Sequence, residues 1–320
     1  MGYLLNGKYH FVEFMESYLS DQGAFERKDS QFRNWITKDG QPGPTGKGGF
    51  MAEKGRYHLY VSHACPWANR TTIVRSLKGL EDFIGLSVVN YHIGDYGWTF
   101  EEGPGVIPDT VNHKKFVYEL YTLADPTYSG DSTVPVLWDK KNGTIVNNES
   151  SEIIRMLNTA FDDLGAKPGD YYPQELRAEI DAVNDFVYPN INNGVYKAGF
   201  SISQEIYEKE VRAVFDALDT LEARLENKDF LVGDQLTEAD IRLFTTLVRF
   251  DSAYFGHFKC NIRALREYKN LWRYTRQLYQ QDAFKKNVNF EHIKGHYYTS
   301  HPDINPNGIV PVGPMIDWSL

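Results

Sequence analysis

The stretch Tyr57-His-Leu-Tyr-Val-Ser-His-Ala-Cys-Pro-Trp-Ala-Asn-Arg-Thr71 decides how the rest of the chain is read. Tyr57 to Val61 is a short run of aromatic and branched residues, the signature of a buried strand. Pro66 suits the first turn of a helix, because its fixed φ fits there and its missing N–H would have had no partner. Helical spacing of apolar residues then continues to Leu80, and Phe83 to Val89 is strand-like again. A β-α-β start is predicted.

Cys65 therefore falls at a helix N-terminus. Unsatisfied amides and the positive end of the helix dipole stabilise a thiolate there, and such cysteines titrate at roughly 3.5–7.5 rather than about 8.5. The residue three positions on is Ala68, so no internal thiol resolves a mixed disulfide formed at Cys65. An outside thiol must do so, which points to glutathione. The competing reading is an inert buried cysteine, the commonest fate of this residue. For Cys260, in Phe258-Lys-Cys-Asn261, that inert reading is preferred, since nothing in its context activates it.

Downstream, Thr133-Val-Pro-Val-Leu-Trp-Asp139, Lys141-Asn-Gly143 and Thr144-Ile-Val146 predict a hairpin with an Asn-Gly turn, and a helix follows from about Ser150 to Asn158. Pro135 donates no ladder hydrogen bond, so a cis Val134-Pro135 peptide is expected. The order β-α-β then β-β-α is the thioredoxin-like arrangement. From Gln174 onward strand signals vanish. Gln174–Tyr188, Ser203–Glu226, Glu238 to about Phe250, and Tyr268–Gln280 carry apolar residues at three-and-four spacing. Thr237 followed by Asp240, with Leu236 before it, marks the third helix start as a capping-box variant.

The expected organisation is an N-terminal arm over 1–49, a thioredoxin-like domain over 50–162, a linker over 163–173, an all-helical domain over 174–290 and a C-terminal tail over 291–320. The arm ends in Gln41-Pro-Gly-Pro-Thr-Gly-Lys-Gly-Gly49, which holds no regular element. Two domains suit 320 residues. A net charge of -9 offers no broad field for nucleic acid. No stretch approaches about 18 apolar residues, and the start of the chain lacks signal-peptide order. Two cysteines are too few for a disulfide scaffold, so a reducing, cytoplasmic setting is expected and no membrane partner. His292 and His296 stand four apart and permit a metal pair, but no third ligand is evident, so no metal is expected.

Cys65-Pro-Trp-Ala68, Gly97-Trp-Thr-Phe100, Val134-Pro-Val-Leu-Trp-Asp139, Asn148-Glu-Ser150, Asn192-Asn-Gly-Val-Tyr-Lys-Ala-Gly-Phe200 and Leu236-Thr-Glu-Ala-Asp-Ile-Arg-Leu243, in this order and with the long arm, resemble the Xi-class glutathione transferases, the glutathionyl-hydroquinone reductases. The resemblance covers nearly the whole chain. It implies glutathione as co-substrate, glutathionylated hydroquinones as substrates, and a homodimer. It implies Cys65 as the catalytic thiol with Tyr196 lying over it, Tyr196, Tyr254 and Tyr297 around the electrophile, and Trp98 as a flat wall against the peptide. Taken alone, Trp98 and these tyrosines read as packing residues.

Two further roles have a physical basis of their own. Val134, before a cis proline, keeps backbone groups free to pair with the glutathione cysteinyl backbone like an added strand, although a tight turn alone would also explain it. Glu149 and Ser150, opening a helix, suit the doubly charged glutamyl end of glutathione while also serving as a cap. Where the resemblance implies a basic residue near position 131, the sequence has Asp131. Two rival readings stand beside this one: an Omega-like thioltransferase or dehydroascorbate reductase, and a non-catalytic scaffold with the same fold.

Overall fold

The computed structural model describes residues 2–11, 18–20 and 24–320. They divide into two units: the described residues of Met1–Ser17 with Lys28–Gly169, and those of Tyr18–Arg27 with Asp170–Leu320.

The chain opens with β1 (Gly2–Leu5) and β2 (Lys8–Phe11), an antiparallel hairpin in register Leu5 to Lys8. Its turn residues Asn6 and Gly7 both have positive φ, 50° and 73°, as a two-residue type I′ turn requires. A Cβ on Gly7 would lie 1.9 Å from the Pro126 carbonyl oxygen, so only glycine fits. The arm expected over 1–49 thus contains regular structure at its start, which the sequence reading missed. The stretch Gln41–Gly49 does lack helix and strand.

The first unit continues with β3 (Tyr57–Val61), α1 (Pro66–Leu77), β4 (Ile84–Val88), α2 (Tyr118–Ala124), β5 (Gly130–Asp131), β6 (Val136–Asp139), β7 (Thr144–Asn147) and α3 (Ser150–Thr159). Its main sheet has the order β4-β3-β6-β7, with β3 and β4 parallel and the other pairs antiparallel. All five residues of β3 are buried, which is why its sequence shows no apolar–polar alternation; its one polar residue, His58, pairs with the Ser87 hydroxyl at 2.8 Å. A second sheet, β2-β1-β5, pairs Tyr3 with Asp131.

The peptide Val134-Pro135 is cis, as expected. Two other details differ from expectation. The strand begins at Val136, because Pro135 has no N–H for the ladder. The β6–β7 connection is a four-residue loop over 140–143, with Asp139 opposite Thr144 and only Gly143 at positive φ. The tight Asn-Gly turn belongs to Asn6-Gly7 instead.

The second unit is helical. A 3₁₀ turn (Gln174–Leu176) leads into α4 (Arg177–Val187), a π-helical turn (Tyr188–Asn192), α5 (Gly194–Gly199), α6 (Gln204–Arg224) and α7 (Glu238–Arg249). A second π-helical turn (Phe250–Tyr254) precedes α8 (Lys269–Tyr279), α9 (Asp282–Lys285) and α10 (Phe290–Thr299). Ser203 caps α6 by accepting from the Ile206 N–H. At the start of α7, the Asp240 carboxylate accepts from the N–H and hydroxyl of Thr237, from the Leu231 N–H and from the Tyr274 hydroxyl. Burial pushes its pKa up, and those donors oppose the shift.

Candidate active site

Cys65 is the N-cap of α1. Its own N–H donates to the Ser62 carbonyl, and its carbonyl accepts from the Asn69 N–H. Pro66 occupies the first helical position. The thiol thus stands at the positive end of the helix dipole. It donates to the Val134 carbonyl at 3.5 Å, so the helix start and the cis-proline turn meet at the sulfur.

Val134 lies outside the β3–β6 ladder, whose last pair is Tyr60 with Val136. Trp98 is buried and accepts at its carbonyl from the Val117 N–H. Glu149 is the N-cap of α3, its carboxylate accepting from the Ser151 N–H at 3.0 Å and the Ser151 hydroxyl at 2.9 Å. Its other oxygen accepts from Ser30 at 3.3 Å. Ser150, the first residue of α3, is buried, and the Arg70 guanidinium reaches its hydroxyl at 3.4 Å. Asp131 sits in β5, where the Tyr128 hydroxyl donates to its carbonyl.

One residue that organises this half was missed. The hydroxyl of Tyr121, on α2, donates to the Thr133 carbonyl at 2.8 Å and accepts from the Thr133 N–H at 3.2 Å and from Asn148 at 3.1 Å. It thereby ties the residue before Val134 to the residue before Glu149. Burial pushes its pKa up to about 12, so it stays a neutral phenol. No signal in the sequence separated it from the other 20 tyrosines, since α2 itself was not read.

The second unit gathers the three expected tyrosines. Tyr196 rides on α5, Tyr254 closes the second π-helical turn, and Tyr297 is on α10. The Tyr196 and Tyr297 hydroxyls are 2.5 Å apart, and those of Tyr297 and Tyr254 are 3.0 Å apart. Burial holds Tyr254 and Tyr297 neutral, well above the usual phenol range. The break expected around Tyr196 is not irregular chain: the π-helical turn carries α4 into α5, and Asn193 accepts from the Tyr196 and Lys197 N–H groups. π-Helical turns recur at functional sites, and here each lies beside one of these tyrosines. The arm contributes Phe25, stacked on Tyr196 at 6.2 Å, and Arg27, whose guanidinium lies 5.2 Å over the same ring.

Beside the tyrosines, His257 and His301 lie ring nitrogen to ring nitrogen at 2.9 Å. Burial drives His257 down to about 3 and His301 well below its usual value. His292 and His296 share α10. Among the described residues no group of three His, Cys, Asp or Glu side chains is placed to hold a metal ion, and no helix is long and apolar enough to cross a membrane.

Comparison with known proteins follows the same division. The glutathione S-transferase N-terminal domain family matches residues 64–160, and the C-terminal domain family matches residues 204–277. The chain is 56% identical to glutathionyl-hydroquinone reductase YqjG of Escherichia coli K12, over 99% of this chain and 96% of that one. It is 52% identical to glutathionyl-hydroquinone reductase PcpF of Sphingobium chlorophenolicum, over 98% and 96%. The glutathione-bound structure of YqjG matches with a TM-score of 0.92 at 54% identity, covering 99% of this chain and 97% of that one. A Xi-class transferase from Natrialba magadii matches with a TM-score of 0.93 at 45% identity, covering 100% and 96%.

Proposed function

This chain belongs to the glutathione transferase family, in its Xi class, and on that premise we propose that it reduces glutathionyl-hydroquinones to hydroquinones with release of oxidised glutathione. The observation that carries the reading is Cys65 itself: a thiol at the start of α1, facing the cis-proline turn, with Ala68 where a resolving cysteine would stand.

In the first step the Cys65 thiolate attacks the glutathionyl sulfur of the aromatic thioether. A sulfur–sulfur bond forms, and the carbon–sulfur bond breaks. Aromatic carbon is a poor leaving group, but a hydroxyl ortho or para to it lets the ring pass to a keto tautomer with a proton on the sulfur-bearing carbon. Cleavage then delivers the electron pair into the ring as a hydroquinone phenolate, which takes up a proton. The two sulfurs are oxidised to a disulfide and the ring is reduced. A second glutathione thiolate then attacks the mixed disulfide, releasing oxidised glutathione and restoring the Cys65 thiolate.

We assign the glutathionyl peptide to Val134, Trp98, Glu149 and Ser150. The place of Val134 beyond the last pair of the β3–β6 ladder and the N-terminus of α3 support this assignment. We assign the ring to Tyr196, Tyr254 and Tyr297. Tyr196 donates a hydrogen bond to the keto oxygen and stabilises the charge that develops there. The 2.5 Å contact from Tyr297 supports a polarised hydroxyl at that position. A homodimer in the cytoplasm completes the reading.

Assaying one preparation side by side with glutathionyl-menadione and hydroxyethyl disulfide tests the assignment. Glutathione-dependent turnover of the thioether is expected. Turnover of the disulfide alone would favour a general thioltransferase and overturn it.

A further inference from the structure

The described residues of Tyr18–Arg27 belong to the second unit, although the chain on both sides of that segment belongs to the first. Two of their side chains, Phe25 and Arg27, lie against Tyr196. Phe25 is buried, stacks on Tyr18 at 5.6 Å, and lies against Tyr196 at 6.2 Å and Phe200 at 5.4 Å. Arg27 grips two points at once. Its guanidinium lies 5.2 Å from the centre of the Tyr196 ring, within cation–π range, and its Nε–H donates to the Asn193 side-chain oxygen at 3.1 Å. Asn193 is the N-cap of α5, the helix that carries Tyr196, and its carbonyl accepts from the Tyr196 N–H.

We propose that Arg27 is a positioning residue for the reductase reaction, holding the Tyr196 ring and making its hydroxyl a stronger hydrogen-bond donor. The inference rests on the role given to Tyr196 above. A cation over the face of a phenol stabilises negative charge on its oxygen, so the hydroxyl releases its hydrogen more readily to an acceptor. Cleavage of an aromatic carbon–sulfur bond needs that donor. Cleavage of an ordinary disulfide does not, because a thiolate leaves unaided. The arm therefore contributes to the choice between the two reactions through one guanidinium.

The test is a cycle of Arg27→Met and Tyr196→Phe, singly and together, assayed with glutathionyl-menadione and with hydroxyethyl disulfide. Arg27→Met is expected to lower kcat/KM for the thioether about 10-fold and to leave the disulfide within about 2-fold. In the Tyr196→Phe background the further loss is expected to stay under about 2-fold, because the residue Arg27 acts through is gone. Arg27→Lys keeps the cation and gives up the planar bond to Asn193. It runs the same cycle at smaller size should Arg27→Met fail to fold, with about a 3-fold loss confined to the thioether. Equal loss of both activities, or an undiminished loss in the Tyr196→Phe background, overturns the role of Arg27 and leaves the reductase reading intact. A wild-type chain that leaves the thioether untouched overturns both.

Discussion

Cys65 and Cys260 are the same residue, both largely removed from water, and they occupy different places in the fold. Cys65 is 9% exposed, caps a helix N-terminus, and faces the backbone carbonyl of Val134, which lies outside the β3–β6 ladder. Cys260 is 0% exposed, its sulfur lies 3.9 Å from the Phe258 carbonyl, and burial pushes its pKa up to about 12. Three residues away, the same dry environment drives His257 down to about 3. Desolvation penalises whichever form is charged, so it silences a thiol and discharges an imidazole alike. On the proposed function, reactivity follows from the end of an element that a cysteine occupies, and very little from the residue type.

The sharpest way to break this contrast is to exchange the sulfurs for inert groups one at a time. Cys65→Ser is expected to lower thioether turnover about 10³-fold or more, because the covalent intermediate is lost. Steady-state assay checks this, and near-normal turnover would end the account. Next in size is Glu149→Ala, which removes the cap bonds to Ser151. It is expected to raise KM for glutathione about 10-fold and to cost about 1 kcal/mol of stability, read by titration and by urea unfolding.

The dry side of the comparison predicts an acid response. His257 binds a proton near 6.5 when unfolded and near 3 when folded, so between those values the unfolded chain holds the extra proton. Stability is therefore intact above about 6.5 and falls as pH drops below it, by up to about 1.4 kcal/mol per pH unit for one such histidine. Urea midpoints measured from about pH 7 to about pH 5 should decline, less steeply in His257→Gln. The smallest effect belongs to Cys260→Ala. Activity should stay within about 2-fold, while the cavity left by the sulfur costs about 1 kcal/mol.

How much of this the sequence showed depends on the range of the forces involved. The strand into Cys65, the helix behind it, the helix at Ser150 and the start at Thr237 were legible, because each is set by neighbours within one or two turns. The hairpin at Asn6-Gly7 was missed although its turn signal was plain. Its strands are only four residues long, and β2 is mostly exposed, so they carry little apolar pattern. The first π-helical turn falls in the break expected before Tyr196, and the second lies just beyond the helix expected to end at about Phe250; neither has a sequence signature of its own. Tyr121 and Arg27 lay beyond reach for a different reason. Their partners are 12 to 27 and 166 residues away in sequence, and nothing local announces contacts that long.

The central claim is that one sulfur carries the chemistry and the other carries none. Mass spectrometry of the protein after one equivalent of a glutathionyl-hydroquinone, with no free glutathione, tests it most directly. The account predicts one added glutathionyl group per chain, mapped to the peptide containing Cys65, with Cys260 unmodified. An unmodified chain in a preparation that turns over, or a glutathionyl group on Cys260, would contradict it.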